Sequence, residues 1–142
     1  MTAGPVTVTE LRVRYAETDQ MGVVHHANYL VWCEQARTDH MRQQGVSYRQ
    51  MEQRGVRLPV VEASLRYRQG AKYDDLIRVR CWVREASSRR VTFGYAIERV
   101  EDGRLLATAS TALIAVDSNN AVTRLPDMAR EHLVPTADPV RV

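Results

Sequence analysis

Between Tyr15 and Tyr29 the chain gathers residue types that can do chemistry. Asp19 stands in a polar stretch ending at Gly22, and His25 and His26 follow at the start of an amphipathic helix. A carboxylate can act as a base or as a nucleophile. A helix N-terminus leaves N–H groups unpaired and carries a partial positive charge, so it can stabilise an oxygen that becomes negative. An isolated Asp before a helix is more often a turn residue accepting backbone N–H bonds. Here Tyr15, Gly22, His26 and Tyr29 stand in register around Asp19, and that register favours chemistry over the bare turn.

The elements that must position this span follow from the hydrophobic periods. Residues 6–15 read as a strand, with Leu11, Val13 and Tyr15 alternating against Arg12 and Arg14. A helix is expected from Ala27 to Gln44, capped by Asn28 and ended by Gly45. Its apolar face would carry Tyr29, Trp32, Cys33, Ala36, His40 and Met41. Glu34 and Arg37, three residues apart, read as an ion pair. Ser47 and Gln50 form a capping-box pattern for a short second helix, stopped by Gly55. Four strands follow. In the first, Val61, Ala63, Leu65 and Tyr67 alternate with polar residues, and the last runs from about Arg104 to Val116. Pro126 would open a terminal helix reaching about Leu133, and residues 134–142 read as a loose tail.

The order is strand, long helix, then four antiparallel strands: an α+β domain with one central helix covered by a sheet. One helix under about five strands leaves an open edge, which proteins usually hide by pairing, so a dimer or larger oligomer is expected. The 142 residues fit a single domain, 1–142, with its core at about 6–133. No signal peptide or spanning segment is visible, which makes the cytoplasm the default. Cys33 and Cys81 lie in apolar patterns, outside metal-ligand spacing, and read as buried hydrophobes. The net charge is +3, and Lys72 is the only lysine. Arginine suits phosphate oxygens, but so small an excess does not argue for nucleic acid. The adjacent His25 and His26 have no further ligands in the pattern, so no metal is expected, and nothing calls for a cofactor.

Val13-Arg14-Tyr15-Ala16-Glu17-Thr18-Asp19, then Gly22-Val23-Val24-His25-His26-Ala27-Asn28-Tyr29, then Glu34-Gln35-Ala36-Arg37 resemble the 4-hydroxybenzoyl-CoA thioesterase family of the hotdog fold. The resemblance runs from about residue 9 to 133 and is nearest the bacterial acyl-CoA thioesterases associated with the Tol–Pal cluster. It implies a five-stranded antiparallel sheet wrapped around the long helix, protomers joined edge to edge, and a homodimer or homotetramer. It also implies an acyl-CoA substrate hydrolysed to free acid and CoA.

Carried over, Asp19 takes the family's catalytic aspartate, as nucleophile or general base, and His26 takes the position whose backbone N–H faces the thioester carbonyl. In the Tol–Pal-like branch Tyr15 and the His26 ring belong to the site, and Tyr15 could bond Asp19. His25 stands where an aromatic residue is usual and reads as a pocket or interface residue. Tyr29 reads as core that could line the acyl pocket. Lys72, Arg89 and Arg90 are the turn cations that could reach the CoA phosphates. Two other readings share the fold: a dehydratase or hydratase of acyl thioesters, and a non-catalytic protein binding acyl-CoA or acyl carrier.

Overall fold

The computed structural model describes residues 3–142. Helix α1, Asn28–Gln43, buries Tyr29, Trp32, Cys33, Ala36, His40 and Met41, the face that the helical period marks. Gly45 follows with φ +80, a left-handed backbone that favours glycine. At its other end the helix differs from expectation. Ala27 holds the cap position without a side-chain bond. The Asn28 and Tyr29 N–H groups close instead on the carbonyls of His25 and His26, at 3.0 and 3.3 Å. Asn28 therefore does not cap; its side-chain amide donates to the Glu17 carbonyl at 2.9 Å.

Five antiparallel strands form one sheet: β1 Thr7–Arg12, β2 Val60–Tyr67, β3 Leu76–Ala86, β4 Arg90–Arg99 and β5 Leu105–Ile114. Their order is β1-β3-β4-β5-β2. Ile77, Val79, Cys81 and Val83 from β3 and Val91, Phe93, Tyr95 and Ile97 from β4 face the helix and are buried. Burial pushes the Cys33 thiol up to about 12 and raises that of Cys81, so neither is a nucleophile at neutral pH. The short helix α2, Tyr48–Gln53, is capped by Ser47, whose Oγ accepts from the Gln50 N–H at 3.2 Å.

β1 is shorter than its alternation suggests, because the Val13 N–H bonds the Asp75 carbonyl and Tyr15–Glu17 coil into a 3-10 turn. β2 forms as expected, yet its burial does not alternate: only Leu65 packs partly against the core and the other seven residues are exposed. β2 is one of the two edge strands, β1 being the other, and is bonded on one side to β5. Glu34 and Arg37 form no ion pair among the described residues; both line a small groove with Tyr48, Leu58 and Leu113. The terminal helix α3 is only Asp127–Arg130, with Pro126 at its cap.

The tail, read as loose, is held at several points. Thr136 N–H donates to the Val83 carbonyl at 2.9 Å, and Gly4 N–H to that of Pro135 at 3.0 Å. Asp138 accepts from Trp82 Nε1 at 2.8 Å and from the Arg84 fork at 3.0 Å on each oxygen. Trp82 lies flat over Gly94, where a Cβ would come 2.6 Å from the indole Cε2.

Gly94→Ala should therefore displace the indole and destabilise the protein by about 1–3 kcal/mol in urea titration, as overpacking does. A second prediction concerns His40, which is fully buried with Nδ1 2.9 Å from Thr7 Oγ1. Burial lowers its pKa, so the unfolded chain takes the proton more readily than the folded one. Its contribution is complete above about pH 6.5 and is lost as pH falls, with a slope of at most about 1.4 kcal/mol per pH unit. Urea midpoints between pH 7 and pH 5 should fall more steeply for wild type than for His40→Gln.

Candidate active site

After β1 and the 3-10 turn, the chain makes a tight loop stitched by its own backbone. Thr18 pairs with Val24, and the Asp19 N–H donates to the Val23 carbonyl at 2.8 Å. The Gly22 N–H returns to the Asp19 carbonyl at 3.0 Å, and Gly22 turns with φ +80. The Asp19 side chain takes part: its Oδ1 accepts from the Met21 N–H at 2.8 Å. Asp19 thus does hold the turn, as an Asx residue. Its other oxygen, Oδ2, receives no hydrogen bond from the described residues, and the residue is exposed.

The loop is then docked. Val24 N–H donates to the Ala71 carbonyl at 2.9 Å, and Val23 pairs with Lys72. His25 N–H donates to the Glu17 carbonyl at 2.8 Å, and α1 begins three residues later. Among the described residues the backbone N–H groups of His26 and Ala27 meet no acceptor. They are the free donors of a 16-residue helix, at its positive end. The rings of His25 and His26 lie with centroids 4.4 Å apart, tilted by 35°, and both residues are exposed. A carboxylate oxygen, free helix-end N–H groups and an imidazole are therefore carried on one short loop.

The other candidates divide. Tyr15 makes no hydrogen bond to Asp19; it is 77% exposed, and its ring stands edge-on to Tyr73 at 5.5 Å. The 3-10 turn has carried it off the strand. Tyr29 is buried, its hydroxyl accepting from the Ala71 N–H at 3.0 Å, so it anchors the loop. Burial raises its pKa, which keeps the phenol protonated. Lys72 sits beside the loop through its pairing with Val23. Arg89 and Arg90 do not: they follow β3, whose 11 residues place them about 30 Å away. Arg90 meets Glu62 there at 3.4 Å. Among the described residues no group of three His, Cys, Asp or Glu could hold a metal ion.

Two residues of the site escaped the reading of the sequence. Glu17 is only 4% exposed; its carboxylate accepts from Trp32 Nε1 at 2.9 Å and from the Arg14 N–H at 2.8 Å. Tyr67, at the end of β2, donates its hydroxyl to the His26 carbonyl at 3.1 Å and stands edge-on to Tyr29 at 5.2 Å. An acidic residue inside an otherwise functional motif was the available signal for Glu17. Nothing local marked Tyr67.

Comparison with known proteins shows the family. The model of the thioesterase-like superfamily matches residues 13–133. The putative acyl-CoA thioesterase YneP of Bacillus subtilis is 39% identical over 115 residues, 81% of this chain and 83% of that one. The acyl-CoA thioester hydrolase YbgC of Escherichia coli O157:H7 is 29% identical over 107 residues, 75% and 79% of the two chains. Among solved structures, the DHNA-CoA thioesterase of Staphylococcus aureus superposes with a TM-score of 0.82 at 38% identity, covering 84% of this chain and 80% of that one. With its five-stranded sheet around one long helix, the chain has the hotdog fold and belongs to the thioesterase-like superfamily.

Proposed function

We propose that this protein hydrolyses acyl-CoA thioesters, with Asp19 as nucleophile or general base and the N-terminus of α1 at His26 as the oxyanion site. The observation that carries the proposal is the pairing of an Asp19 oxygen without a bond and helix-end N–H groups without acceptors on one loop. A thioester is already activated, and breaking its C–S bond releases a stable thiolate. What it requires is an attacker and a donor for the oxyanion, and one such donor is worth roughly 2.7–4 kcal/mol in other enzymes. In this reading the His26 imidazole orients water or protonates the departing thiolate. The names of YneP and YbgC, over most of the chain, support the same substrate class.

The functional unit in this proposal is a dimer joined through β2. That strand leaves one edge unpaired and exposes Val60, Val61 and Tyr67, while Leu30 and Val31 are exposed on α1. Two-fold antiparallel pairing sets the Tyr67 end of β2 in one protomer beside the Val60 end in the other. Glu62, near that second end, holds Arg90. The site of one protomer thereby receives the arginines that its own chain keeps about 30 Å away, a distance set by the length of β3. Arg89 and Arg90 of the partner subunit, with Lys72, then serve the CoA phosphates.

Two outcomes follow. Asn retains the oxygen that accepts from Met21, so Asp19→Asn should fold normally while kcat for thiol release falls by about 10²–10⁴-fold. A panel of short aliphatic, long-chain and aroyl CoA esters would identify the acyl class at the same time. A folded Asp19→Asn variant with wild-type rates would remove Asp19 from the chemistry. Val61→Lys places a charge on the free edge and should shift the mass measured by light scattering toward the monomer, with loss of activity. A monomeric, fully active wild type would contradict the shared site.

A further inference from the structure

We infer that Glu17 is the positioning residue that holds Asp19 and the His26 helix end in working register, an inference that rests on the thioesterase reading above. A buried carboxylate is costly unless its hydrogen bonds are filled, and Glu17 fills them with partners from separate parts of the fold. Its Oε1 takes the Arg14 N–H at the exit from β1, and its Oε2 takes the indole N–H of Trp32, one turn into α1. The Arg14 guanidinium lies 3.5 Å from Oε2. The Glu17 main chain continues the same pattern. Its carbonyl accepts from the His25 N–H at 2.8 Å and from the Asn28 side-chain amide at 2.9 Å.

One residue therefore ties the strand exit, the core of the helix, the first residue of that helix and the histidine loop. Only Thr18 separates it from Asp19, and the residue it holds by hydrogen bond, His25, adjoins His26. Neither Asp19 nor His26 is fixed by packing of its own, since both are exposed. Backbone pairs at Thr18–Val24 and Val24–Ala71 stitch the loop, and Glu17 is the buried polar residue within its span that ties it to the strand exit and to α1. It touches no reacting atom, so its contribution is to the orientation of groups that do, where an error of about 1 Å can cost about 100-fold.

The variant Glu17→Gln is nearly isosteric but sets an amide NH2 against one of two N–H donors, leaving a buried donor unpaired. Trp32→Phe keeps the carboxylate and removes its bond to α1, with some loss of core volume beside Tyr29, so it serves as a second variant that breaks the link from the other side. Two readouts are needed on the full-length protein: steady-state kcat and KM on the best acyl-CoA ester, and amide hydrogen exchange at His25. Both variants should lower kcat, Glu17→Gln by about 10–100-fold, with KM within about threefold of wild type. Exchange at His25 should quicken at least about tenfold while amides in the centre of β4 stay protected.

Folded variants with unchanged kcat, or with unchanged His25 exchange, would overturn the inference. A loss confined to KM, or faster exchange spread evenly over the sheet, would also overturn it by making Glu17 a contact or a general stability residue. Should wild type hydrolyse no CoA ester, the thioesterase reading fails by itself. The exchange measurement then still decides whether Glu17 holds the loop.

Discussion

The whole arrangement depends on burying one face of a single helix. Tyr29, Trp32, Cys33, Ala36, His40 and Met41 pack chiefly against the sheet, and that packing sets where α1 lies and where its N-terminus emerges. The N-terminus comes out beside the end of β1, so the chain has from Val13 to Ala27 in which to pass from strand to helix. Within that constraint the connection cannot be loose. It closes on itself at Thr18 and Val24, hangs on Ala71, and rests on the buried Glu17.

The same packing explains why the site is open in one protomer. A helix about 24 Å long, at about 1.5 Å per residue, lies closest to β1 and β3 and leaves β2 at the far edge of the sheet. β2 is exposed along most of its length, yet its last residue, Tyr67, reaches the first turn of the helix through the His26 carbonyl. The unpaired edge and the candidate site are therefore adjacent. In the proposed mechanism Arg89 and Arg90, at the far end of β3, serve the CoA phosphates of this site from a second copy.

Local chemistry was legible in the sequence where short-range periods govern it. The apolar face of α1, the glycine at its end, the Ser47 cap and the turn held by Asp19 all depend on residues within a few positions of one another. Long-range closure was not legible. Glu17 meets Trp32 across 15 residues, Tyr67 meets His26 across 41, and Asp138 meets Trp82 across 56. No period or cap marks any of the three. Tyr15 illustrates the opposite error: strand alternation continued past Arg12, but the 3-10 turn sent the ring toward Tyr73 instead of Asp19. Asn28 looked like a cap by type, yet the histidine carbonyls had already closed the first turn.

The central claim is that Asp19 and the end of α1 act on one carbonyl. It is tested most directly by a crystal structure of the Asp19→Asn protein with an intact acyl-CoA ester bound. The thioester oxygen should lie about 2.7–3.1 Å from the His26 or Ala27 N–H, with residue 19 on the opposite side of the carbonyl carbon. An ester bound with its carbonyl away from both groups would contradict the mechanism and leave the helix end as a purely structural terminus.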